Sequence, residues 1–155
     1  IEILGNYVDL QEKRFGDRIC FEFDLDESFH QILVPSMILQ PLVENSISHG
    51  VGMKGEGAWI RICTRYDARR RRGIIIISDN GKGMDDVTLQ EIHRKLVGAS
   101  EGLPVEKKTG RGTGIALTNV NQRIKFYFGK EYGLDVKSTL GIGTTITITI
   151  PRMVV

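Results

Sequence analysis

Apolar residues along the chain recur with two different periods, and the places where the period changes mark its elements. Ile1, Leu4, Val8 and Phe15 fall near heptad spacing, with Ile3, Tyr7 and Leu10 widening the stripe. That pattern predicts a helix over residues 1–15, weakened by Gly5 and broken at Gly16-Asp17. Residues 19–25 alternate and predict a strand. Pro35 suits the first turn of a second helix, with Leu39, Leu42, Val43 and Ile47 as its core stripe and Gly50 as its stop. Pro41 inside that pattern predicts a kink or a start near Gln40. Asn45 and His49 lie four apart and share one face.

Residues 58–66 and 72–78 predict two strands, and the run Ile74-Ile75-Ile76-Ile77 reads as a buried central one. Asp85-Asp86 can cap a helix through Lys95 on a stripe of Leu89, Ile92 and Leu96, with His93 on its solvent side. Residues 97–109 are polar and without period, which predicts a mobile loop. A further helix follows, with the stripe Leu117, Val120, Ile124 and Tyr127, and Gly129 ends it. Residues 134–138 and 144–150 predict two last strands. In the second, Thr144 is in phase with Ile146, Ile148 and Ile150, so it points inward at the strand's mouth. Short connections join the second to the third strand and the fourth to the fifth. This favours an α/β two-layer sandwich, a mixed β-sheet with helices packed on one face.

Composition narrows the class more than it decides it. The 155 residues suffice for one domain with a core, and a net charge of +2 gives no argument for nucleic acid. The arginines at positions 69–72 read as a solvated hairpin tip, because no aromatics interleave them. The longest apolar run falls far short of the roughly 20 residues that span a bilayer. Cys20 and Cys63 sit in separate strands and read as two buried, reduced thiols, with a lone disulfide as the alternative. The first residue is isoleucine, which suggests a piece of a longer protein.

Three glycine-rich turns, at 81–83, 110–114 and 141–143, exceed what ordinary turns need. Gly110, Gly112 and Gly114 immediately precede a helix, where exposed N–H groups and the helix dipole make a seat for phosphate. Lys107, Lys108 and Arg111 add charge beside it. The spacing matches neither a Walker loop nor a Rossmann fingerprint. Asp79 closes the central strand, just before Gly81 and Gly83. A carboxylate is unsuited to phosphate but can accept from an exocyclic amine such as that of adenine, and Thr144 can reach the same ring. Asn45 offers a neutral carbonyl oxygen of the kind magnesium accepts beside phosphate and water.

These stretches carry a resemblance. Leu42-Val43-Glu44-Asn45-Ser46-Ile47-Ser48-His49-Gly50 resembles the asparagine box of the Bergerat (GHKL) ATP-binding fold shared by gyrase, Hsp90, histidine kinases and MutL. Asp79-Asn80-Gly81-Lys82-Gly83 and Gly110-Arg111-Gly112-Thr113-Gly114 are similar to its two glycine boxes, and Gly141-Ile142-Gly143-Thr144-Thr145 to its terminal motif. The four stand in the family's order across nearly the whole chain. Leu39-Gln40-Pro41-Leu42-Val43-Glu44-Asn45, Arg14-Phe15-Gly16-Asp17-Arg18 and Leu117-Thr118-Asn119-Val120 are similar to LytS-like sensor histidine kinases.

The resemblance implies ATP and Mg2+ as ligands, with Asn45 on the metal and Asp79 on the adenine amine. Gly81 and Gly83 would shape the adenine pocket, Thr144 would support the ring and His49 would line the site. Gly110, Gly112 and Gly114 would hinge an ATP lid over residues 97–109, with Lys108 and Arg111 near the phosphates. Two departures stand out. Ser48 occupies a position where relatives often carry a basic residue. Pro41 replaces the general-base glutamate of the hydrolytic members, leaving Glu44 as the catalytic candidate.

None of His30, His49 and His93 fits a phosphoacceptor. The expected organisation is therefore a helical lead-in (1–16) from an upstream dimerisation and phosphoacceptor domain, then a catalytic domain (17–155). The expected setting is the cytoplasmic part of a homodimeric bacterial inner-membrane sensor that passes phosphate to a response regulator. The alternatives are an ATPase or serine kinase of the same fold, or a degenerate module that has lost nucleotide.

Overall fold

A computed structural model of the chain describes residues 2–52, 54–98 and 113–153. In chain order the elements are α1 (Glu2–Phe15), β1 (Ile19–Asp24), α2 (Ser36–Asn45), a wide π-turn (Ser46–Val51), β2 (Ala58–Asp67), β3 (Arg72–Asp79), α3 (Asp86–Gly98), α4 (Thr113–Phe128), β4 (Gly133–Thr139) and β5 (Gly143–Pro151). Two short 3-10 turns, Gly16–Arg18 and Glu27–Gln31, flank β1.

The five strands form one mixed sheet in the order β1-β2-β3-β5-β4. β1 and β2 are parallel, so the chain must cross over between them, and α2 is the crossover. The other pairs are antiparallel, as their short connections require. Helices cover one face, with α2 against α1 and α4, and α3 against α4. The expected two-layer sandwich is the architecture observed.

Burial explains why the isoleucine run behaves differently from a strand covered on both sides. Ile75 and Ile77 are fully buried, whereas Ile74 and Ile76 are only half-buried. β3 is central within the sheet, but helices pack on one side of it alone. Asp79 continues the phase of Ile75 and Ile77 and so faces the helices at the strand's end. On β5, Thr144 continues the phase of Ile146, Ile148 and Ile150, and the register sets Thr144 directly opposite Asp79. The two candidate base-contacting residues are thus a cross-strand pair.

Several expectations are corrected. α2 runs continuously from Ser36 through Pro41, so it does not begin near Gln40. Gly50 does not stop it; the backbone continues as a π-turn closed by Gly52 N–H donating to the Ile47 carbonyl at 2.8 Å. Leu10 is exposed although it lies near the α1 stripe, and Val8 on that helix is buried in this domain's own core. Tyr127 is 62% exposed; the α4 stripe turns instead through Asn121, which is 1% exposed. Asn121 donates to the Leu96 carbonyl at 3.0 Å and accepts from Leu134 N–H at 2.9 Å, tying α3 and β4 to α4. Cys20 is exposed and Cys63 half-buried, because both point to the open face of the sheet rather than into the core; both are free thiols.

The arginine-rich tip is a solvated hairpin: residues 68–71 are exposed, and Asp67 pairs with Arg72 at 3.2 Å. Among the described residues no helix is long and apolar enough to cross a membrane.

Candidate nucleotide-binding site

A cavity of about 520 Å³ opens between α2, the loops after β3 and β4, α3 and the start of α4. Its walls bring together Asn45, His49, Asp79, Gly83, Gly114 and Thr144, six residues drawn from four separate stretches of the sequence. Lys108, Gly110, Arg111 and Gly112, with positions 99–109 of the expected lid, lie outside the described residues. Val97 and Gly98, expected as the lid's beginning, are the last residues of α3.

Gly50 and Gly83 line the cavity, while Gly81 does not, and around them backbone meets backbone. Gly81 sits so close to Gly50 that a Cβ on it would stand 2.2 Å from the Gly50 carbonyl carbon. Gly83, at φ +65°, would place a Cβ 1.9 Å from the Thr139 carbonyl oxygen. Gly143, at φ +146°, would place one 2.0 Å from the Asp79 carbonyl oxygen. No side chain fits such approaches. Lys82 N–H donates to the Gly50 carbonyl at 3.2 Å and Gly141 N–H to the Lys82 carbonyl at 2.7 Å. The π-turn, the loop after β3 and the β4–β5 turn are therefore one packed unit.

Asp79 is 6% exposed and lies against Gly50, whose missing side chain leaves the carboxylate its space. Burial raises its pKa above the ordinary carboxylate range. The Gly81 N–H, donating to Oδ1 at 2.9 Å, pulls the other way. The Ser46 hydroxyl also lies near enough to lower the pKa, although it closes no well-formed hydrogen bond. An acidic group buried here gains from a ligand that donates to it.

Two buried polar atoms among the described residues have no hydrogen-bond partner, Asn45 Oδ1 and Ser46 Oγ. Both residues line this cavity. Orphaned buried acceptors are rare because each costs about 1–3 kcal/mol. Asn45 Oδ1 is the donor type that a hard cation accepts. Among the described residues no cluster of three His, Cys, Asp or Glu side chains can hold a metal alone. A magnesium ion here fits only as Asn45 Oδ1 together with ligand oxygens and water.

Glu44 is not brought to the cavity. It is exposed and accepts from Gln40 Nε2 at 3.0 Å, one turn back along α2. Residues that sequence reading missed include Ser138, whose hydroxyl accepts from Met84 N–H at 2.9 Å, donates to the Gly143 carbonyl and meets Thr144 Oγ1. Asn80 clasps the preceding loop through Gly57 and Trp59. Lys82, inside the 79–83 stretch, and Lys95, which no motif announces, are cations of the cavity wall.

A one-faced mixed sheet with this cavity at one end, walled by the glycine turns after β3 and β4, is the frame of a nucleotide-binding domain. Residues 32–153 match the family described as histidine kinase-, DNA gyrase B- and HSP90-like ATPases, and the chain belongs to that family. It is an ATP-binding domain of this family, and curated proteins it resembles are sensor kinases. It is 35% identical over 153 residues to the sensor histidine kinase YesM of Bacillus subtilis, covering 97% of this chain and 22% of that one. It is 30% identical over 148 residues to the sensor protein LytS of Bacillus subtilis, covering 96% and 23%. The chain thus spans less than a quarter of the length of these curated relatives. Among solved structures, the catalytic domain of histidine kinase ThkA in a nucleotide-free form aligns with a TM-score of 0.66 at 18% identity, covering 99% of this chain and 92% of that one. A mycobacterial sensor histidine kinase, MprB, aligns at 0.60 and 18%, covering 99% and 95%.

Proposed function

We propose that this domain binds Mg-ATP in the described cavity and presents the γ-phosphate to a histidine on another domain of its parent protein. The observation that carries the reading is the orphaned Asn45 Oδ1 in the same cavity as the buried carboxylate of Asp79. Asp79 accepts from the exocyclic amine of adenine, with Thr144 opposite it in register against the ring. Gly81 and Gly83 hold the loop that forms this end, and His49 lines the wall between. Asn45 Oδ1 holds the magnesium ion that neutralises phosphate charge. Gly114 opens α4, whose N-terminus faces the phosphates; Gly110, Gly112, Lys108 and Arg111 supply the closing segment.

Catalysis by such a site is positioning and charge neutralisation, so no residue of this domain is a nucleophile. The acceptor is a histidine of an upstream dimerisation domain, and the phosphate then passes to a response regulator. The parent is a homodimeric bacterial sensor with this domain on the cytoplasmic side of the inner membrane.

The rival reading within the family is an ATPase. The acid nearest Asn45 in sequence, Glu44, is exposed and tied to Gln40, and Pro41 stands where hydrolytic members carry their base. The 155-residue chain alone, supplied with Mg-ATP, is therefore expected to release no phosphate through repeated turnovers. A phosphate-release assay showing sustained hydrolysis that Asn45→Ala abolishes favours the ATPase instead.

A further inference from the structure

We infer that Lys95 is the cation that holds the terminal phosphates of the bound nucleotide, and that Glu91 occupies it while the cavity is empty. This rests on the Mg-ATP reading above and assigns a residue that none of the four sequence motifs contains.

Lys95 lies in the last turn of α3 and lines the cavity. Its Nζ stands 2.8 Å from Glu91 Oε1, an i,i+4 pair that is ordinary helix chemistry by itself. Its position against α4 is not ordinary. The Nζ lies 3.6 Å and the Cδ 3.8 Å from where a side chain on Gly114 would begin, so the lysine stem crosses the first turn of α4. α4 is 16 residues long, and its first turn contains no acidic residue. A cation is thus parked at the positive end of a helix dipole, where its charge is unfavourable.

Glu91 offsets that charge in the nucleotide-free protein, although its side chain is 54% exposed. An anion arriving between Lys95 and the N-terminus of α4 satisfies both positive groups at once. Asn45, with its unpartnered oxygen, lines the same cavity, so metal and cation flank one phosphate region. Lys82, the other described lysine of the wall, belongs to the loop after Asp79 and therefore to the base end. Ser48, one turn past Asn45, is exposed and uncharged, so Lys95 brings the cavity's positive charge from α3.

The test compares ATP and AMP binding to the 155-residue chain by calorimetry and ligand-detected NMR. Lys95→Met is expected to weaken ATP about 10- to 100-fold, as loss of a charge-assisted contact does, while AMP changes less than about twofold. Lys95→Arg is expected to recover most of the ATP affinity. Glu91→Gln is expected to tighten ATP, since the competing carboxylate is gone.

Unchanged ATP affinity in Lys95→Met overturns the inference. So does equal weakening of ATP and AMP, which marks a merely structural lysine, and so does a Glu91→Gln variant weakened as much as Lys95→Met. A wild-type chain that binds no adenine nucleotide overturns the Mg-ATP reading and this inference with it. A chain that binds ATP, with Lys95→Met silent, overturns this inference alone.

Discussion

Asn45→Ala is expected to abolish the magnesium-dependent part of ATP binding while leaving a weaker, metal-independent affinity for the base. Asn45 is buried, and its Oδ1 is one of two orphaned polar atoms among the described residues. Removing that oxygen relieves an unsatisfied acceptor, so the nucleotide-free protein does not lose a hydrogen bond. It is not expected to unfold. The loss falls on the ligand: among the described residues no group of three His, Cys, Asp or Glu side chains stands ready to hold the ion instead. Titrations of wild type and variant with ATP, each with magnesium and with a chelator, separate the two components. Full retention of the magnesium effect in the variant removes Asn45 from the metal.

The second large effect is at Asp79. Asp79→Ala is expected to weaken ATP and ADP by the same factor, about 10- to 100-fold, because the lost contact is to the base and not to the phosphates. Unequal losses, or an unchanged ADP affinity, place the carboxylate elsewhere. Alanine also strips the Gly81 N–H of its partner at 2.9 Å, so the loop itself can shift. Asp79→Asn guards against that ambiguity: its Oδ1 still accepts from Gly81, while its amide presents a donor to a donor. It is expected to bind as poorly as alanine and to keep the fold.

The stability of the empty protein moves the other way. Burial raises the folded-state pKa of Asp79 above its ordinary value. A carboxyl shifted upward costs nothing below its unfolded pKa, and its full cost is present above the folded one. Asp79→Asn removes that cost at neutral pH. Urea titrations should find the variant at least as stable as wild type there, with its advantage shrinking as pH falls through the carboxylate range.

This opposition between binding and stability bears on what the sequence made legible. The motifs that formed the site were readable because each depends on a local backbone need. Gly83 and Gly143 hold positive φ against carbonyls under 2.5 Å from any added Cβ, and only glycine fits there. Thr144 was placed by phase alone, since the inward period of β5 runs unbroken to its first residues, and Asp79 by its place at the end of the isoleucine run. The mixed sheet followed from connection lengths.

What stayed hidden depends on tertiary approach. Gly50 looks like a helix stop, but its lack of a side chain serves Asp79, whose carboxylate oxygens would lie 2.9 and 3.1 Å from a Cβ there. The π-turn has no sequence signature strong enough to displace the α-helical reading. Asn121 looks like a break in the α4 stripe and is a buried tie among three elements. Tyr127 looks like its continuation and is solvent-exposed, because the half-buried Phe128, four residues after Ile124, takes the inward position. Glu44 adjoins Asn45 in sequence, yet one residue along a helix is about 100° around it, and that turn carries Glu44 out to solvent, where it meets Gln40. Lys95 is invisible to motif reading since its meaning comes from α4, not from its neighbours in α3.

The central claim is that one cavity holds adenine at Asp79 and metal-bound phosphate at Asn45. The most direct measurement is a calorimetric titration of the 155-residue chain with ATP in the presence and absence of magnesium. Saturable one-to-one binding that magnesium tightens is the predicted result. No binding under either condition, or an affinity indifferent to magnesium, contradicts it.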